Sequence, residues 1–215
     1  MTGRSKALVV VLAACTASFG GAGCSMPQHV QARTIPARRV CIADFSPGEA
    51  DRGVGRAFAR SLAEHIRRLT SETEVMMASG GALTGLDSSQ ALRGDRVPVD
   101  VLAAAQDRYA ADVLVLGRIT ARDPYFRPML GVSAAAIDPS DGSVLFVASR
   151  QWDAASPDVK RGVDDFYRTA TSSDDRRYGR GVYLVSPEYF QRYAAHSLAR
   201  ELVDALADER DDSGS

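Results

Sequence analysis

The run Val113-Leu114-Val115-Leu116, entered from Asp112 and left through Gly117-Arg118-Ile119, carries no polar alternation at its start. A strand of this kind is apolar on both sides and belongs in the middle of a sheet with cover above and below. The segments around it alternate between the two periods. Val40 to Phe45 is a short apolar run with β-branched residues, closed by Ser46-Pro47-Gly48, and reads as a buried strand. Val54, Phe58, Leu62, Ile66 and Leu69 recur at helical spacing and predict a helix from about Gly53 to Leu69 with one apolar stripe. Glu74 to Ala78 is a weak second strand. Ser79 to Arg96, rich in Gly, Ser and Asp, reads either as a functional loop or as a merely mobile one.

Pro98 suits the first turn of a helix to about Ala110, with Leu102, Ala103 and Gln106 flanking one face. Met129 to Ile137 and Ser143 to Arg150 are strands joined by Asp138-Pro139-Ser140-Asp141-Gly142, a tight reversal, and form a hairpin. Pro157 to Thr169 predicts a helix with Val159, Val163 and Phe166 inward. Ser186-Pro187-Glu188 then supplies an N-cap, a first-turn proline and an acid at the positive helix end, and Phe190, Ala194, Leu198, Leu202 and Leu206 form a ridge to the chain end. The order β-α-β-α-β-β-β-α-α describes an α/β (α+β) fold in which a mixed sheet carries helices.

The flanks are of another kind. Arg4 and Lys6 precede the apolar stretch Ala7 to Ala17, and Ser18-Phe19-Gly20-Gly21-Ala22-Gly23-Cys24 follows with small residues before a cleavage point, the parts of a secretory signal. Gly20, Gly21 and Gly23 interrupt this stretch well short of the roughly 20 apolar residues that span a bilayer. Residues 25–38, with Pro27 and Pro36 and no sustained period, read as a flexible tether. Residues 39–207 are expected to be one α/β domain, and 208–215 an acidic, disordered tail.

The end of residues 1–24 resembles the lipobox of bacterial lipoproteins, whose cysteine is acylated and becomes the mature amino terminus. Gly21-Ala22-Gly23-Cys24 places small residues before Cys24 after a full-length signal, although Gly21 stands where the family usually has Leu. Leu12-Ala13-Ala14-Cys15 matches better but leaves a very short signal, so Cys15 is the alternative, and cleavage near Ala22 without a lipid is a third reading. The resemblance implies palmitate-type acyl chains that hold the protein to a membrane. Ser25 after Cys24, rather than Asp, implies the outer membrane, with the folded part facing the periplasm.

Of 215 residues, 45% are hydrophobic and 25% charged, which excludes a disordered or collagen-like chain. Twenty-six Lys and Arg balance 27 Asp and Glu, so no basic field is available for nucleic acid, and none is expected as a partner. With Cys24 acylated only Cys41 stays in the mature chain, which leaves no internal disulfide; cleavage at Cys15 would leave Cys24 and Cys41 able to pair. Cys41, inside Val40-Cys41-Ile42-Ala43, reads as a buried small hydrophobe.

Several of these segments together resemble a family. Val40 to Phe45, Ala111 to Ile119, the Asp123-Pro124-Tyr125-Phe126-Arg127-Pro128 turn and the hairpin from Ile137-Asp138 to Asp141-Gly142-Ser143-Val144-Leu145 resemble bacterial envelope lipoproteins of the CsgG-like and LpoB-like kind. The amino-terminal domain of TolB is similar. The resemblance implies a noncatalytic, periplasm-facing module that binds envelope proteins or assembles with copies of itself. Two alternatives are an accessory subunit that regulates a cell-wall synthase and a part of a secretion assembly; an enzyme comes last. CsgG-like pores need transmembrane strands of about 9–11 alternating residues, and the hairpin here is short and weakly apolar for that task.

No cofactor, metal or catalytic group is expected. His29, His65 and His196 fall in no metal-ligand spacing and read as surface or helix-boundary residues. Gly53-Val54-Gly55 lacks the third glycine of a dinucleotide fingerprint and reads as helix entry. The acid pairs Asp164-Asp165 and Asp174-Asp175 are weighed as cation ligands and read instead as solvated. Two candidate protein interfaces are left. Tyr125, Phe126 and Arg127 combine aromatics, arginine and proline in a turn; the alternative is that the aromatics cover the sheet end. Arg176, Arg177 and Tyr178 lie in Thr171 to Val185, read equally as an arm that packs on a neighbour and as a solvated loop.

Overall fold

The computed structural model describes residues 39–46, 52–70, 73–78, 97–125, 127–169 and 178–207. The strands are β1 (Arg39–Ile42), β2 (Glu74–Met77), β3 (Val113–Asp123), β4 (Met129–Ile137) and β5 (Val144–Asp153). The helices are α1 (Arg52–Leu69), α2 (Val99–Tyr109), α3 (Pro157–Thr169) and α4 (Pro187–Ala207), with a 3-10 turn at Arg180–Leu184. The order is the expected one, β-α-β-α-β-β-β-α-α. One five-stranded mixed sheet runs β2-β1-β3-β4-β5: β1 is parallel to both β2 and β3, and β4 and β5 continue antiparallel.

β3 lies at the centre, as its apolar start requires. Val113 and Val115 face the core shared with α1, α3 and α4, while Leu114 and Leu116 face α2. Its second half was not foreseen. The strand runs to Asp123 through an irregularity between Ile119 and Ala121 and pairs there with Met129–Gly131, so part of the expected turn is ladder. β5 likewise runs on past Arg150 to Asp153 and takes in Trp152. The reversal between β4 and β5 is built as its residues suggest. Gly142 sits at φ 73 and donates its N–H to the Asp138 carbonyl, and the Asp138 carboxylate accepts the Ser140 N–H at 2.7 Å.

Two layers of helix cover the sheet. On one face Phe58, Leu62 and Ile66 of α1 and Phe190, Ala194, Leu198 and Leu202 of α4 are buried along the expected stripes, and the two helices pack on each other. Leu69, the end of the α1 stripe, is 40% exposed. Glycines allow close approach here: a Cβ at Gly55 would strike the Phe45 carbonyl, and one at Gly117 the Phe45 ring. α2 covers the opposite face. Its inward residues are Val101 and Ala105 rather than Leu102, Ala103 and Gln106; Gln106 is exposed and the other two are half-buried. An alanine-rich helix has a weak apolar moment, and the strands beneath decide its rotation.

Candidate functional site

The expected interface residues fall into two places. Tyr125 stands at the far end of the β3–β4 reversal, its N–H donated to the Asp123 carboxylate at 2.9 Å, and Arg127 donates its N–H to the Tyr125 carbonyl. This Asx-type turn fixes the backbone locally. Tyr125 is 80% exposed, so it does not cover the sheet end, and Arg122 and Arg127 beside it are also exposed. Phe126 lies outside the described residues. Pro128 closes the turn and is buried, its carbonyl accepting the Ala154 N–H at 3.0 Å.

The second place is the approach to α4. Arg176 and Arg177 lie outside the described residues, as do Cys15, Cys24, the tether, Ser79 to Arg96, Asp174-Asp175 and the acidic tail. Tyr178 is 62% exposed, its ring 6.2 Å from Tyr189, over which the Arg192 guanidinium sits at 5.1 Å. After it the chain forms the 3-10 turn, with Arg180, Gly181 and Val185 exposed and Tyr183 turned inward. Tyr183 is fully buried, edge-on to Phe166 at 5.3 Å and Tyr189 at 5.4 Å, and it anchors the 3-10 turn in the core. Rings thus run from the surface at Tyr178 to the interior at Phe166.

That chain of rings ends on two residues the sequence placed wrongly. His65 and His196 are buried, at 5% and 8% exposure, with ring centroids 5.0 Å apart and both against Phe166. His65 lies one turn after Leu62 and His196 one turn after Tyr193, so both fall on the inward stripes of helices that pack together; this spacing was the signal available. Burial, with Arg200 and then Arg68 nearby, lowers His196 to about 4, so the ring is neutral at pH 7. Among the described residues its Nδ1 has no hydrogen-bond partner. His196 and Tyr193 line a groove of about 270 Å³ between α3 and α4, with Asp165, Ser197, Arg200 and Asp204 on its walls. Burial and then Asp165 hold the Tyr193 hydroxyl above its usual range.

The Asp164-Asp165 pair is occupied by arginines. Asp164 pairs with Arg180 at 2.9 Å and Asp165 with Arg168, in a shallow cleft of about 400 Å³ on α3. Among the described residues no group of three His, Cys, Asp or Glu could hold a metal, and no helix is long and apolar enough to cross a membrane. Cys41 is fully buried, and burial pushes its thiol up to about 12, which makes it the inert residue expected.

No family model matches the chain, and no curated protein matches it. Among solved structures it is similar to the PelC dodecamer from Paraburkholderia phytofirmans, at 13% identity and TM-score 0.50, over 84% of this chain and 96% of that one. Lipoprotein GNA1162 from Neisseria meningitidis aligns at 12% identity and TM-score 0.38, over 83% and 99%. TolB from Acinetobacter baumannii aligns at 12% and 0.42, over 85% of this chain and 31% of that one. At these identities the likeness to PelC is one of fold, and the other two superpose too loosely to carry weight.

Proposed function

We propose that this chain is a noncatalytic, lipid-anchored module of the bacterial envelope, held to the outer membrane through Cys24 and facing the periplasm, where it binds envelope proteins or copies of itself. The observation that carries the reading is the placement of Tyr125. A large aromatic on a braced reversal, 80% exposed and flanked by arginines, is an anchor whose backbone has little conformational entropy left to lose on binding. Tyr178 offers a second such ring beside Tyr189 and Arg192. The fold it shares with PelC supports assembly, since that protein is described as a dodecamer.

The test has two arms. Cys24→Ser is expected to release the protein from the membrane fraction, and release by Cys15→Ser instead would move the anchor. Tyr125→Ala with Arg127→Ala is expected to weaken association at least about tenfold in light scattering or in crosslinking pulldowns from membranes, the scale of one lost hot spot. A wild-type protein that stays monomeric and crosslinks to no protein would overturn the binding reading.

A further inference from the structure

The two edges of the sheet are finished differently. Among the described residues β2 ends it with four residues, and its first, Glu74, is tied to Arg39 on the next strand at 3.1 Å. Shortness and charge are devices that keep an edge from pairing. β5 closes the other side with ten residues, VLFVASRQWD, which include no Pro, Gly or Lys. Among the described residues it pairs with β4 alone.

One hydrogen bond settles which amides face outward. Ala154 donates to the Pro128 carbonyl, and these two residues continue the register in which Met129 lies opposite Asp153. In an antiparallel ladder, pairs that exchange hydrogen bonds alternate with pairs that do not. Trp152, Arg150 and Ala148 therefore turn their amides toward β4, and Val147, Ser149, Gln151 and Asp153 turn theirs away from the sheet. The Ser149 carbonyl is touched by an Arg150 guanidinium nitrogen at 3.3 Å, a long contact from a side chain whose main partner is Glu201 at 2.9 Å.

We infer that β5 is a self-association edge, which pairs antiparallel with β5 of a second copy about a two-fold axis at Ser149. The inference rests on the assembly reading above and names its partner and its surface. With the axis at Ser149 the outward amides meet in phase: Ser149 stands opposite Ser149 of the second copy, and Val147 opposite its Gln151. Residues directly opposite share a face of the sheet, which sets Ala148 against Arg150 and Phe146 against Trp152, with no like charges opposed. An axis at Arg150 would set two guanidinium groups against each other, and an axis between residues would put the amides out of phase. The strand is thus complementary to itself in charge and hydrogen-bond pattern, and a closed two-fold pair consumes the edge instead of extending it.

Ser149→Cys in the full chain tests the register. A hydrogen-bonded antiparallel pair brings its Cα atoms to about 5.5 Å, within disulfide reach. A mild oxidant is expected to give a disulfide-linked dimer on a non-reducing gel, whereas the parent chain, with the same remaining cysteines, gives none. Ser149→Lys with Gln151→Lys is expected to lower the crosslinkable dimer at least about tenfold, by setting like charges across the edge, with the circular dichroism of the fold unchanged. Oligomers that persist in the lysine variant, with no Ser149→Cys dimer, would overturn this inference and leave the assembly reading standing on another surface. A strictly monomeric protein that captures no partner would overturn both, and a Ser149→Cys adduct with a different protein would overturn the second copy as occupant.

Discussion

The two faces of the sheet are built of different material. Toward α1, α3 and α4 lie Phe45, Phe58, Trp152, Phe166, Tyr183 and Phe190, with the two histidines set among them. Toward α2, among the described residues, the fully buried ones are Ala, Val, Leu and Ile with Cys41, and the aromatic packed against them, Tyr109, is only partly buried. Each aromatic buries roughly 150–250 Å², so the first face holds most of the apolar burial, and with it the polar groups that respond to solution conditions. The α2 face seals the opposite side of the parallel strands with small side chains, and less free energy is at stake there.

Truncation should expose the difference directly. Phe58 is fully buried with its ring 5.1 Å from Phe45, and Phe58→Ala is expected to cost about 3–5 kcal/mol, enough to threaten folding. Val101→Ala, at the centre of the α2 contact, removes two methyl groups and is expected to cost about 2 kcal/mol. Urea unfolding of the two variants checks the ratio. Equal costs would mean that α2 is packed as firmly as α1, and the contrast would collapse.

Acid should act on the aromatic face first. His196 titrates near 6.5 when unfolded and at about 4 when folded, so the unfolded chain binds the proton more tightly. The contribution is fully present above pH 6.5 and is lost as pH falls toward 4, by on the order of 3 kcal/mol over that window. His196→Phe is expected to flatten the urea midpoint between pH 6.5 and 4 relative to wild type. A wild-type midpoint that is already flat there would show that His196 does not carry the titration.

These contrasts were only partly legible in the sequence. The bounds of α3, 157–169, and the buried stripes of α1 and α4 follow from strong helical spacing and from prolines placed at first turns. The inward face of α2 did not, because one alanine looks like the next until Leu114 and Leu116 are beneath them. The second half of β3 was missed because Thr120-Ala121-Arg122-Asp123 has no alternating signal and owes its strand form to pairing across an irregularity with β4. That same pairing decides that Tyr125 faces outward, so the residue was readable as a candidate while its exposure was not. His65 and His196 meet only because α1 and α4 pack together, a contact that local spacing does not contain. That β5 pairs with β4 alone among the described residues depends in turn on strand order, which nothing in its own ten residues states.

The smallest effect offers the finest probe of the thinner face. Cys41 lies under α2 with its thiol at about 12, so at pH 8 its thiolate is scarcer by roughly a thousandfold than in an exposed thiol near 9.0. Alkylation of Cys41 in the native protein should therefore proceed only through opening. If α2 lifts from the sheet before the aromatic face yields, the alkylation rate will exceed the one set by global unfolding, and Val101→Ala will raise it more than its effect on the urea midpoint predicts. If the rate matches global unfolding in both wild type and Val101→Ala, the two faces open together, and their difference is one of stored free energy alone.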